Sequence, residues 1–73
     1  MPKWPVVSGA DVVRALERLG FAKVRQRGSH VVMRRGSVGC VVPMHDPIKT
    51  GTLAGIVRQA QVAPDVFLEV LGK

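Results

Sequence analysis

AKVRQRGSHVVMRRGSVGCVVP, residues 22–43, is punctuated by two Gly-Ser dipeptides, Gly28-Ser29 and Gly36-Ser37. Glycine followed by serine suits a two-residue hairpin turn, because the first central position takes a positive φ that glycine adopts without steric cost. The runs on either side, 22–27, 30–35 and 38–43, are short, bounded by these turn signals, and read as strands. The spacing predicts a three-stranded antiparallel meander.

Two-residue turns also fix the register. With Gly28-Ser29 as the whole first turn, Arg27 faces His30, Gln26 faces Val31, Arg25 faces Val32, Val24 faces Met33 and Lys23 faces Arg34. With Gly36-Ser37 as the whole second turn, Met33 faces Cys40 and Val31 faces Val42. Opposed residues share a sheet face, and successive residues alternate between faces. One face therefore gathers Val24, Val31, Met33, Cys40 and Val42. The other gathers Lys23, Arg25, Arg27, His30 and Arg34, with Val32 and Val41 between them. Arg35 falls on the apolar side, where it can cap the core. The apolar face calls for a cover of helices and the basic face for solvent or a partner. A turn one residue longer in either place flips part of this assignment.

Outward from the sheet, both flanks read as helical. Pro2 and Pro5 oppose helix at the start and give residues 1–7 an extended lead-in. Ser8 is an N-cap candidate, with Asp11 three residues on as a short-armed capping-box partner. Val12, Val13, Leu16 and Leu19 follow at helical spacing, and Gly20 suits the left-handed stop that folds Phe21 back on Leu16. The first helix is expected at about residues 9–19. After the sheet, Pro43 ends the third strand and Met44-His45-Asp46-Pro47 is a loop. Thr50 is a candidate cap for a second helix with Leu53, Ile56, Val57 and Ala60 as its stripe. Pro64 and Asp65 suit the first turn of a third, which ends at Gly72. Trp4 is expected to pack over the start of the first helix. The order α-β-β-β-α-α, with helices on one face of an antiparallel sheet, is an α+β fold read as one domain over residues 1–73.

Composition narrows the function. Eleven Lys and Arg oppose five Asp and Glu, for a net charge of +6, and nine of the eleven basic residues lie between positions 3 and 49. This balance favours a polyanionic or acidic partner, although a basic surface can also serve solubility alone. A lone cysteine, Cys40, excludes an internal disulfide and a Cys-cluster zinc site, and its place in an apolar strand suits packing. No apolar run approaches the ~18 residues of a membrane span, and the N-terminus lacks a signal-peptide core. A cytoplasmic protein without membrane attachment is expected. A domain this small buries only about 60% of its unfolded surface, so a stabilising partner fits.

The residues so read resemble the HicA family of mRNA interferase toxins. Ser8-Gly9 and the helix ending Leu19-Gly20-Phe21 look like the family's opening, Gly28-Ser29-His30 like its signature tripeptide, and Pro43-Met44-His45 like its Pro-x-His. Gly51-Thr52-Leu53, Ile56 and Arg58-Gln59-Ala60 look like its second helix, and Phe67-Leu68 like its last. The resemblance spans about Ser8 to Leu71. Gln61 stands where the family usually has glycine, and Ala10 where a basic residue is common. The resemblance implies a double-stranded-RNA-binding-domain-like fold, sequence-tolerant cleavage of messenger RNA, and one essential histidine, here His30. It also implies inhibition by a HicB-type antitoxin that covers that histidine.

The chemistry suits those residues. RNA carries its own nucleophile, the 2′-hydroxyl. Histidine, with an unperturbed pKa near ~6.5, can remove that proton and protonate the leaving oxygen. Fixed cations meet the charge that develops on phosphate. His30 with Lys23, Arg25, Arg27 and Arg34 on its face, beside the Gly28-Ser29 turn, is such a set and calls for no metal or small-molecule cofactor. His30 read without its neighbours is a surface histidine at a turn. His45 is either a partner acid or a loop histidine that fixes the Pro-rich turn, and a His30–His45–Asp46 metal set is a weaker possibility. The basic residues suit phosphate contacts, which position RNA and carry little sequence information. The sheet lacks the aromatics that stack bases. Two other readings remain open: a non-catalytic RNA-binding module of the same fold, and a basic domain that docks an acidic protein.

Overall fold

The structure is a computed structural model that describes residues 3–72. Met1, Pro2 and Lys73 lie outside it, so the extended lead-in expected from Pro2 and Pro5 is described only from Lys3 onward. The elements are α1 (Gly9–Arg18), β1 (Ala22–Arg27), β2 (His30–Arg35), β3 (Val38–Pro43), α2 (Thr50–Gln59) and α3 (Pro64–Leu71). The strands form one antiparallel sheet in the order β1-β2-β3. With the helices gathered on one face, this is the double-stranded-RNA-binding-domain-like α+β arrangement, extended by α3.

Local chemistry explains the element ends. Ser8 caps α1: its hydroxyl accepts from the Asp11 N–H, and the Asp11 carboxylate accepts from the Ser8 N–H, at 3.1 and 3.0 Å. These bonds satisfy donors that a helix start otherwise leaves unpaired. At its other end Gly20 takes φ +94°, the Phe21 N–H donates to the Leu16 carbonyl, and the Gly20 N–H donates to that of Glu17. This is the paired closure of a left-handed helix stop. α2 closes in the same pattern, Val62 N–H to the Val57 carbonyl and Gln61 N–H to that of Arg58, but here Gln61 occupies the left-handed position at φ +56°. The cap expected from Thr50 is not formed. Thr50 is already the first helical residue, and Lys49 precedes it in extended conformation with no side-chain cap. Pro64 opens α3, where its missing N–H costs nothing.

The positive φ falls on Gly28 and Gly36 and not on the serines after them, as the two hairpin turns require. β2 and β3 pair as expected throughout, with Val31 opposite Val42, Met33 opposite Cys40 and His30 opposite Pro43. β1 and β2 match as far as Arg25 opposite Val32. There a bulge enters, so that Lys23 pairs with Met33 and Ala22 with Arg34. Two expectations are thereby corrected. Lys23 does not face Arg34, and Val24, the extra residue of the bulge, is 55% exposed and outside the core. A bulge leaves one residue unpaired and shifts the rest of its strand by one, which exchanges faces.

The core is one cluster. Val31, Met33, Cys40 and Val42 of the sheet meet Val12, Ala15 and Leu16 of α1, Leu53, Ile56 and Val57 of α2, and Phe67 of α3. Burying each of its Val, Leu, Ile, Met and Phe side chains is worth roughly 1.5–3 kcal/mol. Arg35 closes the rim as expected: its guanidinium lies 4.8 Å from the Phe21 ring centre and donates to the Leu19 carbonyl at 2.7 Å. Trp4 packs against Phe67 of α3, with ring centres 6.5 Å apart. Among the described residues no helix is long and apolar enough to cross a membrane.

Candidate functional site

The face of the sheet turned away from the helices carries His30, Val32 and Arg34 of β2, Arg25 and Arg27 of β1, and Val41 of β3. His30, Arg25, Arg27 and Arg34 are all exposed. Among the described residues, none of these four has an ion pair or a side-chain hydrogen bond. Residues 22–43 contain five Lys and Arg and no Asp or Glu, so no carboxylate of the sheet itself neutralises the face. Unpaired guanidinium groups on a surface of this kind raise the local concentration of anions and hold phosphate bidentately.

His30 is the first residue of β2, between Arg27 across one ladder and Pro43 across the other. The tight turn before it keeps the approach open: a Cβ built on Gly28 meets nothing within 4 Å. The ladder continues one step past the strands, where the Met44 N–H donates to the Ser29 carbonyl at 2.6 Å. This holds the 44–47 loop, which contains a cis Asp46-Pro47 peptide, beside the Gly28-Ser29 turn. Lys23, displaced by the bulge, lies outside the row formed by His30, Val32 and Arg34, and is exposed.

The loop is fixed from a second side. The Gly9 N–H at the start of α1 donates to the His45 carbonyl at 2.8 Å, and the Ile48 N–H donates to the Val7 carbonyl at 2.8 Å. A Cβ on Gly9 would stand 2.4 Å from the Pro43 oxygen and 2.8 Å from the Met44 Cα, both backbone atoms. Glycine at position 9 thus lets α1 dock on the loop next to His30. This scaffold was not legible in the sequence, because it rests on backbone contacts between Gly9 and the 43–45 segment.

His45 gives the loop its backbone anchor, and its residue helps line a hollow of about 290 Å³ formed with Pro43, Pro47, Ile48, Lys49 and Thr52. A larger hollow of about 520 Å³, lined by Trp4, Val57, Arg58, Val62 and others, includes none of the residues that the sequence singles out for chemistry. Its lining is mostly apolar, and the open basic face of the sheet is the candidate site. Among the described residues, no three His, Cys, Asp or Glu side chains come together as a ligand set for a metal. Cys40 is buried, and burial pushes its thiol up to about 11. It belongs to the core and not to the site.

No curated protein matches the chain. The family model described as the HicA toxin of bacterial toxin–antitoxin systems matches residues 9–62. That span runs from the first residue of α1 to the closure of α2 and includes the whole sheet, the Gly28-Ser29-His30 turn and the Pro43–His45 loop. With its fold and well over half of its length matched, this chain belongs to the HicA toxin family of bacterial toxin–antitoxin systems.

Proposed function

We propose that this toxin is an endoribonuclease that cleaves messenger RNA, with His30 as general acid and base and no requirement for a metal. The observation that carries the reading is the placement of an exposed histidine among three exposed, unpaired arginines on a face whose strands hold no carboxylate. His30 takes the proton of a ribose 2′-hydroxyl. The 2′ oxygen bonds to the adjacent phosphorus as the bond from phosphorus to the 5′ oxygen breaks. The imidazolium so formed returns its proton to the departing 5′ oxygen. The products are a 2′,3′-cyclic phosphate and a 5′-hydroxyl, and no outside water or oxidant enters the balance. Positioned proton transfer of this kind contributes typically about 10²–10⁴ in rate.

Arg27, next to His30, meets the charge that develops on the scissile phosphate, while Arg25 and Arg34 hold neighbouring phosphates. Lys23 adds charge at the margin, and the Gly28-Ser29 turn admits the backbone of the RNA. Phosphate contacts of this sort read no sequence.

Membership in a toxin–antitoxin family implies an antitoxin partner. We take it to be of the HicB type and to cover the same face, its acidic groups meeting Arg25, Arg27 and Arg34 and its apolar groups meeting Val32 and Val41. Native mass spectrometry of the toxin purified from its own operon is expected to show that complex; a free monomer counts against it.

The reaction is tested with purified protein in excess chelator, on one RNA sequence made with ordinary ribose and again with 2′-O-methyl ribose. Cleavage of the first only, with 5′-hydroxyl and cyclic-phosphate ends, is expected. Binding of both without cleavage of either would make the chain an RNA-binding module. Cleavage of the methylated strand would exclude the 2′ oxygen as nucleophile.

A further inference from the structure

The sheet supplies charge and a proton carrier, but nothing on it grips a base. Phe21 and Phe67 are buried and Trp4 packs on Phe67. Besides His30 itself, the exposed ring closest along the chain to the His30–Pro43 pair is that of His45. The hollow it lines includes Pro43, the cross-strand neighbour of His30. Pro43 and Pro47 give it apolar sides, buried Ile48 belongs to its lining from the core side, and Lys49 and Thr52 bring one cation and one hydroxyl. At about 290 Å³ it lies at the lower bound of small-ligand sites, roughly 300 Å³, and so suits one nucleotide unit rather than a large molecule.

We propose that this hollow is a binding subsite for one nucleotide of the RNA strand adjacent to the bond cut at His30: the His45 ring stacks on its base, and Lys49, with Thr52, holds its phosphate. The inference rests on the ribonuclease reading and deepens it. It assigns His45 to positioning of substrate and leaves proton transfer to His30. Stacking tolerates any base, since every base has a π-face, and a single lysine reads phosphate as a point charge. The subsite therefore sets the position of the bound strand relative to His30, and contributes only a mild preference for sequence.

The probe is a single-stranded 2′-O-methyl RNA, whose blocked 2′ oxygen permits binding without cleavage. Its Kd is measured across a salt series for wild type, His45→Ala, His45→Phe, Lys49→Gln and, as a control outside the hollow, Lys3→Gln. His45, Lys49 and Lys3 are exposed, so the variants are expected to fold, which circular dichroism checks. His45→Ala is expected to weaken binding about tenfold, towards the low end of what loss of one base stack costs, and His45→Phe to restore it. Lys49→Gln is expected to lower the slope of log Kd against log salt by about 0.7, the share of one phosphate on a single strand. Lys3→Gln leaves both unchanged. In cleavage of ordinary RNA, His45→Ala raises KM more than it lowers kcat. Equal binding by all variants, with cleavage intact, overturns the subsite and leaves the His30 reading standing. A fall in kcat common to His45→Ala and His45→Phe overturns the stacking role in favour of proton transfer by His45. A wild type that neither binds nor cuts RNA removes the subsite together with the reading beneath it.

Discussion

Glycine 9 is the residue on which the site's geometry depends most tightly. It holds α1 against the loop that follows β3, with no room for a Cβ between it and the Pro43 and Met44 backbone. Gly9→Ala is expected to cost about 1–3 kcal/mol, the usual cost of overpacking, and to lower the melting temperature by roughly 10 °C in a chain this short. A melting temperature equal to that of wild type would contradict the close approach. Gln61 presents the opposite case. It occupies a left-handed position at φ +56° that glycine adopts without strain. It is also the position at which the resemblance to the HicA family leads one to expect glycine. Gln61→Gly is expected to stabilise the fold by about 0.5–1 kcal/mol, net of the extra freedom glycine gives the unfolded chain, which thermal or denaturant unfolding measures.

Among the elements, α1 carries a pH signature. Hydrogen bonding from the Ser8 backbone and hydroxyl, with a smaller contribution from Arg14, holds the Asp11 carboxyl below its ordinary value of 3.8. A carboxyl with a depressed folded value stabilises the fold fully above the unfolded value and loses that contribution as the pH falls through the folded one. The difference in melting temperature between wild type and Asp11→Asn is therefore expected to be constant near neutrality and to shrink below about pH 4. A difference that persists unchanged in acid would contradict the capping-box ionisation. β3 offers a second check at this scale. Cys40 is 3% exposed, with its thiol pushed up to about 11, so alkylation at neutral pH is expected only after unfolding; rapid labelling of native protein would place Cys40 outside the core.

The sheet was legible in the sequence because its punctuation is chemical. Gly28 and Gly36 are where a positive φ is needed, and the second hairpin register follows from them to the last pair. The first hairpin departs only at Val24. A bulge has no side-chain signature there, since valine suits a strand whether paired or not, and the shift carries Lys23 out of its expected row. Thr50 misled for a related reason: a hydroxyl near a helix start reads as a cap, but the chain is already helical at Thr50. The basic face and His30 could be read because alternation alone segregates them. The hollow by Lys49 could not, because it forms only when the loop after β3 is pinned to Val7 and Gly9 by backbone bonds that leave no trace in residue identity.

Across the whole molecule, charge and apolar surface are divided by the sheet. The core side gathers one buried cluster, and the other side gathers exposed arginines that no acidic residue of the sheet offsets. RNA affinity should therefore fall steeply with salt, as bound counterions are released for each phosphate held, and about 0.7 of the slope should go with each of Arg25, Arg27 and Arg34 replaced by glutamine. A salt-independent affinity would point to an interface of another kind, such as an acidic protein surface alone. On the proposed reading, a partner that covers Arg25, Arg27 and Arg34 also covers His30, which lies on the same face.

The most direct test of this account is single-turnover RNA cleavage, in chelator, by wild type and by His30→Ala with its fold verified by circular dichroism. The account predicts that the variant binds RNA with nearly the wild-type salt slope and cleaves it at least about 10²-fold more slowly, the lower end of what positioned proton transfer provides. Cleavage by folded His30→Ala at the wild-type rate would contradict it and move the chemistry off the open face of the sheet.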